Sequence, residues 1–566
     1  MDTGVIVIIV IVVIVIVGAI FSKPSPAYTV KRGTDVEQLV INNPQGKFIH
    51  TRGKATFGGR EVNLIRPFMF IGVPGSGKTL QLQMLLKELL QDFNGATDTR
   101  LVIREYKRGD FLPAVAASGI TYKVIDPSAP GTLAWDIAKD CTSDAICDDI
   151  ATTLIPRVEG EHKFFATAAR TILGEVMKGL RAKMGTAWDF WDLFHIVTDE
   201  YLILEVSKFA PMRGKPIKAI VEKAASSGDS VATVIVELNS RFQSVAAAWK
   251  NAPKYSLQEF MKSREVLVIG HSHIAEEAMN AISATLTDRL IKYTLNLSNS
   301  NTRRIYFLLD ELSNMAPVPG YQKLVRVGRS KGAFAISSIQ DLASFQHNYG
   351  EKVAKSIIAM HSFLSVMECD FDTAHFISDV LGELEIERAV VSESSGSTSA
   401  SSSNSNTTNQ STTTTTKQIT RRRKLEPFEL TTELPMTCDE NGMTGYFLGY
   451  VKTRKLFWKV TIPFTVIKNS LPPRDPEAVQ WCDSAHEYIM PSIEPFSEID
   501  YHRLGVIPPV DILEQLTKQE REQKEVINNL KAKIEIERQQ EPPEQAEIPA
   551  QRAKKTHNQK GFKIDS

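Results

Sequence analysis

Cysteine is scarce in this chain, with five in 566 residues: Cys141, Cys147, Cys369, Cys438 and Cys482. They are scattered, odd in number and form no C-x-x-C pair. That excludes a zinc ribbon or a disulfide-framed fold and suits a reducing compartment. An excess of either charge is missing too, with 66 Lys+Arg against 66 Asp+Glu. A balanced chain has no bulk attraction for nucleic acid, so any contact with DNA must come from local patches. Long apolar runs are absent except at Gly4 to Phe21. The remainder, 42% hydrophobic and 23% charged, is ordinary for globular protein. A chain of this length exceeds one compact core and should form two or three folding units.

The apolar exception reads GVIVIIVIVVIVIVGAIF and carries no charge. As a helix it spans roughly 27 Å, about one hydrocarbon core. Its Val and Ile favour strands in water, but lipid requires every backbone donor and acceptor to be satisfied internally. A cleaved signal peptide would need a basic n-region, whereas only Met1, Asp2 and Thr3 precede the run, and a buried strand would be far shorter. The expectation is an uncleaved single-pass anchor over residues 1–22. Lys23, Lys31 and Arg32 follow it and nothing basic precedes it, which puts the body in the cytoplasm, on the inner membrane.

Gly72-Val73-Pro74-Gly75-Ser76-Gly77-Lys78-Thr79 fits G-x-x-x-x-G-K-[ST] at every fixed position. Phe68 to Ile71 precedes it as a short apolar strand, and Leu80 to Leu90 follows with helical periodicity. Glycines let backbone N–H groups close around phosphate oxygens, and the helix start adds positive potential. Gly72, Pro74, Gly75, Ser76 and Gly77 would then form the cradle, and Lys78 would reach the β- and γ-phosphates. Thr79 would ligate Mg²⁺. The competing reading is a glycine-rich turn before an ordinary helix.

Arg304 to Leu309 followed by Asp310 and Glu311 reads as a buried parallel strand with acids at its C-terminal edge, where open α/β sheets bind ligands. Asp310 would hold Mg²⁺ and Glu311 would orient the attacking water. Taken alone, such acids are usually a solvated strand end; beside the glycine loop they gain meaning. Ala333 to Ile339 reads as a further strand, after which Gln340 would sense the γ-phosphate or cap the next helix. Arg326 and Arg329 are either candidates for an arginine finger reaching a neighbouring subunit or part of a solvated basic face. His271 and His273 have no cysteine or carboxylate at ligand spacing and read as loop residues.

With these residues in view, the chain resembles the type IV coupling proteins, which are membrane-anchored hexameric ATPases. They bring DNA–relaxase complexes to a conjugative type IV secretion channel. The resemblance rests on GVPGSGKT at 72–79, FLLDELSNM at 307–315 and VGRSKGAFAISSIQDLASF at 327–345. Further stretches agree: Ile125-Asp126-Pro127, Leu133 to Asp136, His162 to Arg170, Asp370 to Gly382 and Arg422 to Leu430. It implies an α/β fold, a RecA-like P-loop NTPase core with an inserted all-α domain. It also implies ATP and Mg²⁺ as cofactors, and as partners DNA bound without sequence preference, a relaxase, the secretion channel, the membrane and identical subunits in a homo-hexamer. Three departures stand out. There is one apolar span where two are common, no D-P-K-G after the second strand (Arg104 to Gly109 stands there), and Asp136 in place of Asn.

The expected order is an anchor at 1–22, the first part of the nucleotide-binding domain at 23–136, an all-α domain at 137–262 and the second part at 263–475. Within the last, 392–420 is Ser/Thr/Asn-rich and reads as a flexible insertion. Residues 476–566 read as a C-terminal helix with a weak heptad, then a disordered tail. Two other functions fit a tethered P-loop protein: an FtsK-like DNA translocase, and a nucleotide-gated docking scaffold with little turnover.

Overall fold

The computed structural model describes residues 67–509, apart from 96–97, 158–162, 228–230, 274, 398–408, 435–441 and 452–453, and short strands between residues 28 and 62. The expected anchor at 4–21 and the heptad and tail beyond 509 lie outside the described residues. Among the described residues no helix is long and apolar enough to cross a membrane.

A ten-stranded sheet organises the chain. Its strands are β1 (Glu37–Val40), β2 (Phe68–Ile71), β3 (Thr99–Arg104), β4 (Tyr122–Ile125), β5 (Val266–Ile269), β6 (Arg304–Leu309), β7 (Ala333–Ile339), β8 (Phe363–Val366), β9 (Met443–Val451) and β10 (Arg454–Ile462). Their spatial order is β1-β10-β9-β8-β2-β7-β6-β3-β5-β4. From β8 to β4 all pairings are parallel; β8–β9 and β9–β10 are antiparallel.

Parallel strands must be covered on both faces, which is why these read as continuous apolar runs. Side chains alternate between two cores. Met69, Ile71, Val102, Phe307 and Leu309 face one way, towards the helical residues inserted between β4 and β5. Phe68, Phe70, Leu101, Tyr306 and Phe334 face the other, against Leu82, Leu85, Leu86 and Leu89 of helix α1 (Lys78–Asp92).

Between β4 and β5 the chain is mainly helical, including α2 (Lys163–Met184) and helices at Phe190–Val197, Glu200–Ser207 and Val231–Trp249. Trp188, Phe190, Trp191 and Phe194 are buried there and form core, as an aromatic group at helical spacing should. Gly179 permits close approach of α2 to the next layer: a Cβ would collide with the backbone of Val206.

Two departures from the expected organisation have physical causes. Of residues 392–420, expected as a flexible insertion, 398–408 lie outside the described residues, and those on either side belong to two long arms, Glu383–Ser397 and Asn409–Arg423. These pair antiparallel from Glu383↔Arg423 to Ser397↔Asn409, and Tyr28–Arg32 adds a third strand. Their β-branched Val, Ile and Thr favour pleated backbone even where the composition is polar. Arg421, Arg422 and Arg423 pair with Glu385, Glu426 and Asp379.

The second departure lies at the junction of the expected second part, 263–475, with the expected C-terminal segment from 476. The chain folds back as a strap over both units. Arg474 donates to the Gly109 carbonyl (2.7 Å), the Asp475 N–H to that of Pro113 (2.9 Å) and Arg108 to that of Ala485 (3.0 Å). Phe496, Tyr501, Leu504 and Val506 then join the helical core. Lys183 donates to the Gly505 carbonyl (3.0 Å), and Arg503 pairs with buried Asp192.

Arg503→Ala would strand a carboxylate with no solvent contact of its own. Because Arg503 is itself 39% exposed, the expected loss is about 1–3 kcal/mol, below the value for a fully buried pair. Urea unfolding followed by tryptophan fluorescence measures it; an unchanged midpoint would mean that the strap is held elsewhere.

Candidate nucleotide site

The glycine loop joins β2 to α1 at the C-terminal edge of the sheet. Gly75 and Gly77 have φ of 84° and 97°, the left-handed region that glycine adopts without strain. Gly72 is required for a different reason: a Cβ there would lie 2.7 Å from Ser76 Oγ and 3.0 Å from the Glu368 carbonyl. Both neighbouring strands pin the loop. The Val73 N–H donates to the Glu368 carbonyl just beyond β8 (2.8 Å), and the Gly72 N–H to that of Ile339 at the end of β7 (3.3 Å). Pro74 and Gly75 form the exposed crest.

Lys78 leaves the first turn of α1 buried, its Nζ donating to the carbonyls of Gly72 (2.6 Å) and Val73 (3.1 Å). Burial lowers its pKa, while the nearby carboxylates of Glu311 and Asp310 oppose that shift. The two halves of the expected site are therefore electrostatic neighbours. Ser76 Oγ is buried without a hydrogen-bond partner. Such a group is satisfied by an acceptor in the loop's cradle, as a phosphate oxygen would be.

Strand β7 lies between β2 and β6 and ties the halves together. Ser338 Oγ donates to Asp310 Oδ1 (2.8 Å) and accepts the Glu311 N–H (2.9 Å). Its carbonyl accepts the Leu312 N–H (2.9 Å). Ser313 Oγ donates to Glu311 Oε1 (3.2 Å) and accepts the Gln340 N–H (3.1 Å). These bonds hold Glu311 at φ 52°, a conformation that costs an L-residue roughly 1–2 kcal/mol. Burial, reinforced by Glu311, pushes the Asp310 carboxyl up to about 7. Thr79 and Asp310 offer the hard oxygens that Mg²⁺ takes, so the residues present fit that ion.

Gln340 is half-buried and directly follows β7. It does not cap the next helix, because Asp341 does, accepting the Ser344 N–H (2.6 Å). Arg329 is not brought to the site within this chain. It is exposed in the turn Gly328–Lys331 before β7, on the opposite edge of the sheet. The seven residues of β7 separate the two edges by about 23 Å.

The family model for the type IV secretion-system coupling protein DNA-binding domain matches residues 63–435. The chain belongs to this family. It is 23% identical over 342 residues to coupling protein TraD of Escherichia coli (strain K12), covering 59% of this chain and 46% of TraD. The chain thus matches less than half the length of that relative. In fold it is similar to the bacterial conjugative coupling protein TrwBdeltaN70 in its unbound monoclinic form: TM-score 0.57, 19% identity, 72% of this chain and 88% of that one. It is likewise similar to plasmid coupling protein TrwB in complex with ADP and Mg²⁺, with TM-score 0.59, 18% identity and coverage of 78% and 96%.

Four residues at this site were given no role by the motifs that contain or neighbour them. Ser338 and Ser313 hold the acids, Asp341 acts electrostatically on Lys78, and Lys107 brings a second cation near it. A signal for Ser338 exists: two serines in a wholly buried strand must each find a partner. Ser337 finds Tyr321 (2.7 Å), and Ser338 finds the acids. Where D-P-K-G is missing, Glu105 is buried and accepts from the N–H of Phe111 (2.6 Å), and burial raises it to about 8.

A carboxyl raised in the folded state favours the fold below its unfolded pKa, and that contribution disappears as pH rises through the folded value. Without nucleotide, stability should therefore fall between about pH 4.5 and about 8, and Glu105→Gln should flatten the fall. A denaturation series against pH checks both; an unchanged slope in the variant would show that Glu105 does not titrate there. Ser338→Ala should cost about 1–3 kcal/mol, because it leaves the buried Glu311 N–H unpaired. The same series reads that loss at a single pH.

Proposed function

We propose that this chain is a membrane-anchored ATPase that couples a DNA–relaxase substrate to a type IV secretion channel and drives DNA transfer by ATP hydrolysis. The observation that carries this reading is the convergence of Lys78 and the acids Asp310 and Glu311 on one sheet edge, in a chain of the coupling-protein family. TrwB has been seen with ADP and Mg²⁺. The same ligands suit the oxygen donors and buried amine here.

The reaction is in-line attack of water on the γ-phosphate. Lys78 and the loop N–H groups hold the β- and γ-phosphates and offset developing charge. Thr79 and Asp310 would hold magnesium, which supplies further charge neutralisation when bound. Glu311, fixed by Ser338 and Ser313, orients the water. Gln340, hydrogen-bonded through its backbone to Ser313, is placed to report loss of the γ-phosphate. Arg329, exposed on the far edge, fits supply to a neighbouring subunit of a homo-hexamer rather than action within its own. The apolar run at 4–21 would anchor the assembly in the inner membrane. DNA would be gripped through phosphates without base specificity, hence with strong salt dependence.

Hydrolysis by the full chain, with and without single-stranded DNA, tests the proposal. DNA should stimulate turnover, and Lys78→Ala should reduce it by roughly 10²–10³-fold. Glu311→Gln should keep nucleotide binding and lose turnover. Tight ATP binding with negligible turnover in the natural sequence would point to a docking scaffold and overturn the motor.

A further inference from the structure

Three side chains gather two strands away from the acid pair. His271 and His273 follow β5, and Glu276 opens helix α3 (Glu276–Asn296). One ligand atom from each lies within 4.8 Å of the other two. Sequence spacing hides this group, because the turn into α3 is what brings the carboxylate back to the imidazoles.

His271 supplies the independent observation. It is 2% exposed, and neither ring nitrogen has a hydrogen-bond partner. Leaving one buried polar atom unmet costs about 1–3 kcal/mol, so a ring with two calls for a partner. Tyr106 stacks on that ring (centroids 5.4 Å apart, planes at 17°) and meets His273 edge-on (5.5 Å, 83°). Stacking fixes the planes of the rings but gives their nitrogens nothing to bond.

We propose that His271, His273 and Glu276 form a site for a divalent transition-metal ion of the zinc class, separate from the nucleotide site. Two imidazoles and one carboxylate are a borderline donor set that suits Zn²⁺, Co²⁺ or Ni²⁺, whereas Mg²⁺ takes oxygen ligands. Tetrahedral zinc with bonds near 2.0–2.1 Å sets its ligand atoms about 3.4 Å apart. Closing the group from its present spacing needs movements on the order of 1 Å. His273 and Glu276 are exposed and free to make them, while His271 stays packed. The nearby cations are already engaged: Arg104 donates to Ser283 Oγ and the Ala316 carbonyl, and Arg108 pairs with Asp126 at 2.9 Å. Three protein ligands leave a fourth position open to water or a substrate group. Tyr106, just beyond β3, feels both Glu276 and Glu311.

The test is titration of the chelator-stripped full chain with Co²⁺, read by its visible d–d absorption. One equivalent should bind, be displaced by Zn²⁺ and resist excess Mg²⁺. Thiolate charge-transfer bands should be absent, since the four described cysteines are buried elsewhere. His273→Ala and Glu276→Gln, both at exposed positions, should weaken binding by roughly tenfold or more while nucleotide binding is retained. His271→Ala should do the same, with its melting curve as a control. Saturable cobalt binding that persists unchanged in His273→Ala and Glu276→Gln would overturn the site, as would no saturable binding by the natural sequence. Neither outcome bears on hydrolysis, which rests on other residues.

Discussion

A single hydroxyl, that of Ser338, carries the geometry on which the site depends. It sits in a strand buried on both faces and bonds the two consecutive acids through different atoms: the side chain of Asp310 and the backbone of Glu311. The same strand ends at Ile339, whose carbonyl receives the Gly72 N–H. One rigid element thereby sets the separation between the phosphate cradle and the acids. Neither half could shift by an ångström without breaking a buried bond, and buried bonds are costly to leave unmade. The left-handed backbone at Glu311 makes sense on these terms, since strain persists only where neighbours over-determine it.

Electrostatics follows from the same burial. Lys78 is lowered by desolvation, and Asp310 is raised by desolvation and by Glu311, so burial works against both charges. A polyanion with a divalent cation completes that balance: the phosphate favours the charged lysine and the cation favours the carboxylate.

The motif residues were legible because their chemistry demands fixed types at fixed spacing. Gly72 to Thr79, Asp310 with Glu311, and Gln340 all fall at the C-terminal edge of neighbouring strands, as their apolar runs indicated. The supports were not legible in that way. Ser338 lies 27 residues from Glu311 in sequence and meets it only through strand pairing. Glu276 reaches the two histidines only through a turn whose shape no spacing rule encodes. The strands flanking 398–408 were not foreseen, because polar composition outweighed β-branched content. The strap after residue 474 was missed because its anchors are single residues, Arg474, Phe496 and Arg503, spaced irregularly. Arg329 kept both of its readings, a finger for a neighbouring subunit or part of a solvated basic face, since it is exposed on the far edge.

The strap also alters how the units relate. It bonds to the loop after β3 at one end and to the helical core at the other. Everything rests on triphosphate and metal being held between loop and acids. The most direct measurement is a structure of the full chain with a non-hydrolysable ATP analogue and Mn²⁺, located by its anomalous scattering. The account predicts the Mn²⁺ peak bonded to Thr79 Oγ1 and bonded to Asp310 directly or through water, with Lys78 on the γ-phosphate. A metal or triphosphate bound away from residues 72–79 and 310–311 would contradict it.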